Sequence, residues 1–487
     1  MTPTYRYVVA GLLVLLFAAR FYGIDSPILD KHSWRQSDTA GTARNFHETG
    51  NSILLPQVDW RGDTQGYAEM EFPIYQYSVA KLYDVFGPRE YVARIFSIAL
   101  FALSALLLYR LVAETCSKEL GLFTTLIYAS LTTTTYYART ILPEPLLLAS
   151  SAGALYFLWR YARTGGVADY ILSLACLCLA CLIKVSPLYL GLPLLLLFHK
   201  RHGMQMLRVW QCWLYAACVL VALYLWYSHA ATLREATNLS FGLYGEANGK
   251  YFNWSTLATP GFWNRVLFER LAAWHFTWVL APFIVWGICM RRQSPMERLF
   301  DLWGIAVFVY LILIPVGNAV HDYYQLPMLA PLCVFAAKPF ARHLTRPDAP
   351  RLAKGVLILC LAVHVGIAQY NYVRTMTKHT DYAPFQRLHE RLDALGGKDH
   401  PAGQNGQNSL VYTPTQGTPS LLYYLHRKGW IGLPTYDEFL SSHAVAVVGV
   451  FGWRNYIQGP TPDQVRALYP PEAFALLDDE VFIVVRK

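Results

Sequence analysis

The runs WRQSD at 34–38 and EFPIYQY at 71–77 decide how this chain is read. Both lie in a polar stretch, residues 25–90, between apolar segments at 7–24 and about 92–112. Wound as a helix, each segment is long enough to cross a hydrocarbon core of about 30 Å, for which ~20 residues suffice. The stretch between them is therefore expected at a bilayer surface, with acidic, cationic and aromatic side chains beside lipid.

The rest of the composition agrees. Of 487 residues 54% are hydrophobic and 15% are charged, and mean hydropathy is +0.27. Soluble proteins carry roughly 25% charge, so the chain reads as a polytopic membrane protein. The net charge of +9 does not indicate a nucleic-acid partner. Its Lys and Arg gather in short tracts between apolar runs, where they act as topology signals. Residues 1–24 show no small-residue cleavage pattern after the apolar run, which reads as a retained first span. The nine cysteines all fall in the apolar part and imply no disulfide framework. Cys178 and Cys181 form a CxxC without His or acidic neighbours and read as packing residues.

Apolar runs near 7–24, 92–112, 119–136, 143–160, 168–183, 186–199, 209–229, 273–290, 298–316, 323–339 and 354–373 give about eleven transmembrane helices. Arg110 and Lys118, Arg160 and Arg163, Lys200 with Arg201 and Arg208, Arg291 with Arg292 and Arg298, and the tract 338–354 then fall on one side, which the positive-inside rule assigns to the cytoplasm. The weakest stretch of this count is 168–199, where two short runs flank Lys184. The opposite face receives the 25–90 loop, Arg139–Glu144, Lys184, the 231–270 loop, His321–Tyr324 and everything after about 375. This convergence of polar motifs predicts one extracytoplasmic site. The chain thus divides into a transmembrane domain at 1–374 and an extracytoplasmic domain at 375–487. In the latter, SLVYT (409–413), AVAVVGVF (444–451) and VFIVV (481–485) read as strands. SLLYYLHRKG and PDQVRALY read as helices, so the pattern is a small α/β domain after the linker GGKDHPAGQNGQN.

Within the first loop, Ser37 reads as the N-cap of a helix over 38–49 ending before Gly50, with Ala40, Ala43 and Phe46 on one face. Asp38 then sits in the first turn, either complementing the helix dipole or serving chemistry. Trp34 and Arg35 beside it supply an aromatic face and a cation suited to a sugar or a phosphate. Pro73 opens a second, amphipathic helix that closes at Gly87, and Glu71 precedes it. The bland alternatives are that Glu71 complements the helix dipole and that Glu69 beside it is only solvated. In RTILPEP, Arg139 and Glu144 stand at a membrane boundary, where ionisable groups are functional suspects. Lys184 interrupts apolar sequence and either snorkels to headgroups or binds a lipid-linked phosphate. His321, Asp322, Tyr323 and Tyr324 crowd the end of a span, where His and Asp bind phosphate, metal or each other.

Taken in order, WRQSD, EFPIYQY, RTILPEP, IKVSP and HDYYQLP resemble the GT-C glycosyltransferase superfamily. The resemblance is to its bacterial branch, near protein O-mannosyltransferases and the lipid A aminoarabinose transferase. It covers about residues 1–370. It implies a GT-C-like fold, a polyprenyl-phosphate-linked sugar as donor, and inverting transfer to a glycan, lipid or protein acceptor on the extracytoplasmic face of the bacterial inner membrane. By motif, Asp38 would be the catalytic carboxylate and Glu71 its acidic companion. Arg139, Glu144, Lys184, His321 and Tyr324, with Trp34 and Arg35, would bind substrate. The chain departs from the pattern in having Phe72 before a single Pro73, and Glu144 where Asp is frequent. No cofactor is demanded; a divalent metal is left open, since no ligand spacing requires one. The rival readings are a lipid or solute transporter or flippase, against which stand the absence of repeats and the clustering of charges at span ends, and a surface-polysaccharide ligase or polymerase.

Overall fold

The computed structural model describes residues 3–242, 251–377, 382–396, 410–415, 417–454 and 457–486. The chain forms two compact units, one of Met1–Ile24, Arg94–Ser228 and Gly242–Val373, the other of Asp25–Ala93, His229–Phe241 and Arg374–Lys487. The first polar loop thus packs in the same unit as the C-terminal tail.

The first unit is helical. Three helices are long and apolar enough to cross a membrane, Glu90–Thr115, Trp210–Thr237 and Arg351–Met376, and shorter apolar helices run over Tyr7–Phe21 and Val167–Ile183. Each expected apolar run holds helix, but several are broken. The run at 119–136 splits at Leu131 into Lys118–Ser130 and Thr132–Tyr137. The run at 273–290 begins in a π-helical stretch, Asn264–His275, and Thr277 and Trp278 with positive φ separate it from Ala281–Cys289. Start signals act as physics dictates. Ser117 caps Lys118–Ser130 by accepting from Leu120 N–H, and Pro143 and Pro145 lead Glu144–Thr164, where the missing N–H groups cost nothing.

The second unit holds the two helices of the first loop, Ser33–Thr49 and Ile74–Phe86, and a five-stranded sheet. In that sheet Val411–Thr413 lies between Gly429–Ile431 and Ala446–Val450, parallel to both; Val481–Val485 then runs antiparallel to Ala446–Val450, with Phe474–Leu477 at the edge. Val447, Phe439, Val465, Tyr469 and Phe482 form its core. The three expected strands and both helices are present, and helix Ala383–Gly396 precedes them. Most of the linker GGKDHPAGQNGQN, with Ser409, lies outside the described residues. The strands Gly429–Ile431 and Phe474–Leu477 are not legible in the sequence: they are short, and the second alternates without large apolar contrast. Gly429 has φ 148°, and a Cβ there would stand 1.9 Å from the Val411 carbonyl oxygen, so this close parallel pairing requires glycine.

One boundary is corrected. Helix Ser33–Thr49 begins four residues before the expected cap, after His32 in the left-handed region, so Ser37 is no N-cap and Asp38 lies in the second turn. The turn is closed earlier, by Ser33 N–H to the Asp30 carbonyl and by Arg35 and Gln36 N–H to the His32 carbonyl. Dipole complementation therefore does not explain Asp38, because that effect fades beyond the first turn. The other end agrees with expectation: Gly50, at φ 67°, closes the helix.

Candidate active-site groups

The helix Ser33–Thr49 is polar, yet almost all of it from Gln36 to Phe46 is buried. Burial of so many polar groups is tolerable only if each finds a partner. Gln36 donates to Asp30, Ser37 to Ser420, Asn45 to Asp59, and Arg44 to Asp59 and to the Tyr423 carbonyl. Small residues let the neighbours come close: a Cβ on Gly41 would stand 2.8 Å from Asp59 Oδ2.

In this setting Asp38 is only 8% exposed, and its Oδ1 accepts one hydrogen bond, from Trp60 Nε1 at 2.8 Å. Burial pushes its pKa up to about 7; Arg35 and the Trp60 hydrogen bond oppose that rise, and the Asp59 charge adds to it. Arg35 pairs with Glu71 at 2.8 Å and covers the Phe241 ring at 5.0 Å, and Phe241 packs edge-on against Trp60. The structure thus gathers Asp38, Arg35 and Glu71, with Trp34 one residue away on the same helix. Glu69 is corrected: it is fully buried, accepts from the Ser240 hydroxyl, and has Arg234 Nε at 3.9 Å. Its backbone pairing with Leu239 and Phe241 takes it out of water, a pairing distant in sequence and so invisible there.

Asp59 holds this framework. Lys428 lies at 2.6 Å and Arg44 at 2.8 Å, and its carbonyl accepts from Gly429 N–H. The tail strand is thereby joined to the loop that carries Trp60. Burial alone would raise Asp59, but Lys428 and Arg44 outweigh it and hold the carboxyl at about 2, against an ordinary 3.8. A depressed carboxylate contributes stability that is present above its unfolded pKa and lost as pH falls through the folded one. Asp59 therefore contributes roughly 2 kcal/mol that disappears between about pH 4 and pH 2. Acid-unfolding curves of Asp59→Asn are expected to lose that segment of the pH dependence; an unchanged acid limb would contradict the assignment.

The first unit carries a second group. Lys184 follows helix Val167–Ile183 in extended conformation and places Nζ 2.5 Å from Glu144 Oε1. The ammonium also lies 4.6 Å from the Tyr323 ring centroid and 5.2 Å from that of Tyr324. His321 stacks on Tyr323 at 5.1 Å and near Tyr324 at 5.9 Å. Glu144, Lys184, His321 and Tyr324 are thus brought together. Asp322 accepts from Tyr137 Oη at 2.7 Å. Arg139 is 1% exposed and reaches the Gly23 carbonyl, so it ties the first span to this region through backbone.

Sequence reasoning missed Tyr323 as a cation platform and Arg270, whose guanidinium donates to the Asn318, Ala319 and Val320 carbonyls and fixes the segment before His321. Trp60 and Phe241 were missed as well; only their aromatic character in a polar loop could have marked them. Among the described residues no three His, Cys, Asp or Glu side chains form a group that could hold a metal ion.

A helical body with membrane-length helices, a polar first loop carrying two helices, and a small sheet domain at the end make up a fold shared with ArnT and with an archaeal oligosaccharyltransferase. Residues 71–230 match the family described as dolichyl-phosphate-mannose-protein mannosyltransferase. That segment includes EFPIYQY, RTILPEP and IKVSP but neither WRQSD nor HDYYQLP. The crystal structure of ArnT from Cupriavidus metallidurans bound to undecaprenyl phosphate matches with a TM-score of 0.65 at 14% identity, over 99% of this chain and 98% of that one. Its apo form matches at 0.61 and 15% over the same extents. The apo oligosaccharyltransferase of Archaeoglobus fulgidus matches at 0.58 and 11%, over 92% of this chain and 70% of that one. No curated protein matches the chain in sequence.

Proposed function

We propose that the protein is an inverting glycosyltransferase. In this reading about eleven transmembrane helices hold it in the bacterial inner membrane, and its polar motifs and C-terminal domain face away from the cytoplasm. The donor is a polyprenyl-phosphate-linked sugar and the acceptor a hydroxyl of a glycan, lipid or protein. ArnT from Cupriavidus metallidurans was crystallised with undecaprenyl phosphate, and the oligosaccharyltransferase of Archaeoglobus fulgidus with a dolichol-phosphate and an inhibitory peptide. These ligands favour a lipid-phosphate donor here.

The observation that carries the reading is Asp38, a buried carboxylate with one hydrogen bond and a pKa near 7. A general base works best when its pKa lies close to the operating pH. As the acceptor oxygen bonds to the anomeric carbon, Asp38 takes the hydroxyl proton, the bond from that carbon to the phosphate oxygen breaks, and the polyprenyl phosphate departs with the electron pair. Glu71 orients Arg35 beside Asp38, and Trp34 offers a face for a sugar ring. Lys184, positioned by Glu144 and by the Tyr323 and Tyr324 rings, neutralises the departing phosphate together with His321. Arg139 holds the first span against this region. Fixed cations near hydrocarbon act strongly because water is sparse there.

Label from radiolabelled polyprenyl-phosphate sugar is expected in a new glycoside; label that crosses the bilayer with no glycoside formed would instead identify a flippase. A base must be deprotonated to act, so the transfer rate is expected to rise with pH through about 7, following Asp38. A flat profile between pH 5 and 8 would contradict that role.

A further inference from the structure

At the end of the helical unit that carries the basic tracts, a cavity of about 390 Å³ opens where several helices terminate. Cys116 and Ser117 on its wall directly follow the membrane-length helix Glu90–Thr115, and Arg346 stands five residues before the membrane-length helix starting at Arg351. The cavity therefore sits where two membrane-length helices end. Lys338 and Arg342, four residues apart, lie on one face of the helix Leu326–Leu344, and Arg346, two residues past its end, lines the same cavity.

Their charges are not equally engaged. Lys338 is buried and paired with Glu297 at 2.7 Å, and Glu297 is held in turn by the capping box with Ser294. That pair cancels one cation with one of the two acids on the wall, the other being Glu119. Arg342 and Arg346 have no hydrogen bond or ion pair among the described residues, and Gln293 lies on the same wall. Topology signalling needs positive charge near a membrane surface but no concavity. It does not explain two unengaged guanidiniums facing one cavity over a buried, fixed ion pair.

We propose that this cavity binds the phosphate headgroup of an anionic membrane lipid, with Arg342 and Arg346 as the phosphate ligands. A guanidinium fork matches phosphate oxygens in pairs, and basic pockets between spans at a membrane surface select anionic headgroups. The position at the ends of two membrane-length helices favours a lipid over a free phosphate, since acyl chains have hydrocarbon beside them.

The test is native mass spectrometry of the full chain after exchange into nanodiscs of phosphatidylcholine with or without phosphatidylglycerol. Wild type is expected to retain phosphatidylglycerol preferentially. Arg342→Gln and Arg346→Gln each cost about fivefold in retention, and the double variant on the order of 25-fold. Arg160→Gln/Arg163→Gln, a charge-matched control from another basic tract, keeps the preference. Equal loss in the control, or a double variant with wild-type selectivity, overturns the proposal. So does millimolar inorganic phosphate displacing the lipid, which would make the cavity a site for the soluble anion. Wild-type preference together with a folded but unselective double variant supports it.

Discussion

Lys184→Met is expected to reduce glycosyl transfer by about 10²–10³-fold, the scale seen when one preorganised charge-stabilising group is removed. The ammonium is the cation that pairs with Glu144 and lies against the Tyr323 and Tyr324 rings, and methionine keeps the length of the stem while deleting the charge. Its loss acts twice. In the proposed mechanism the departing phosphate dianion loses its counterion, and Glu144, 4% exposed at its side chain, is left buried with its partner removed. Breaking such a pair costs about 3–5 kcal/mol, so Glu144→Gln is the informative companion. If Lys184 serves only to satisfy Glu144, the double variant Glu144→Gln/Lys184→Met recovers both stability and activity. If Lys184 holds phosphate, the double variant recovers stability alone. Thermal unfolding and initial rates measured on the same preparations separate the two outcomes.

Asp38→Asn is expected to lower the transfer rate by about 10²–10⁴-fold, the usual contribution of a positioned general base, while the fold survives. Asparagine keeps the size of the side chain and an oxygen that accepts from Trp60 Nε1. Because the carboxyl is buried with a pKa near 7, removing its charge relieves desolvation and is not expected to destabilise the protein. The sign follows from linkage: a raised carboxyl pKa means that the folded state binds the proton more tightly, so stability associated with Asp38 falls as pH rises from about 4 to 7. Asp38→Asn should flatten that limb of the stability curve while removing the rise of rate with pH. A purely structural Asp38 would move the first and leave the second.

Much of this was legible in the residues because the signals are local. Pro73 and Gly87 bound their helix, Gly50 closes the helix bearing Asp38, and Glu144 opens its own, as their backbone preferences require. Lys184, Glu144, His321 and Tyr324 were each suspect as polar groups at apolar boundaries, and they meet in space. What stayed hidden depends on distant pairing. The early start of the helix at Ser33 rests on Asp30 and on the left-handed His32, a conformation that no local pattern announces. Glu69 looks solvated until Ser240 and Phe241, some 170 residues on, cover it. Trp60 is the partner of Asp38, and Asp59 beside it is anchored by Lys428 from the tail, contacts 22 and 369 residues apart in sequence. The breaks at Leu131 and at Thr277 and Trp278 interrupt apolar runs that hydropathy alone reads as continuous.

The most direct measurement is a single turnover: full-length Asp38→Asn is loaded with saturating labelled polyprenyl-phosphate sugar, acceptor is added, and glycoside is followed against wild type. The account predicts that the variant retains bound, intact donor and forms almost no glycoside while wild type consumes its donor. Glycoside formed by Asp38→Asn at the wild-type rate would contradict it.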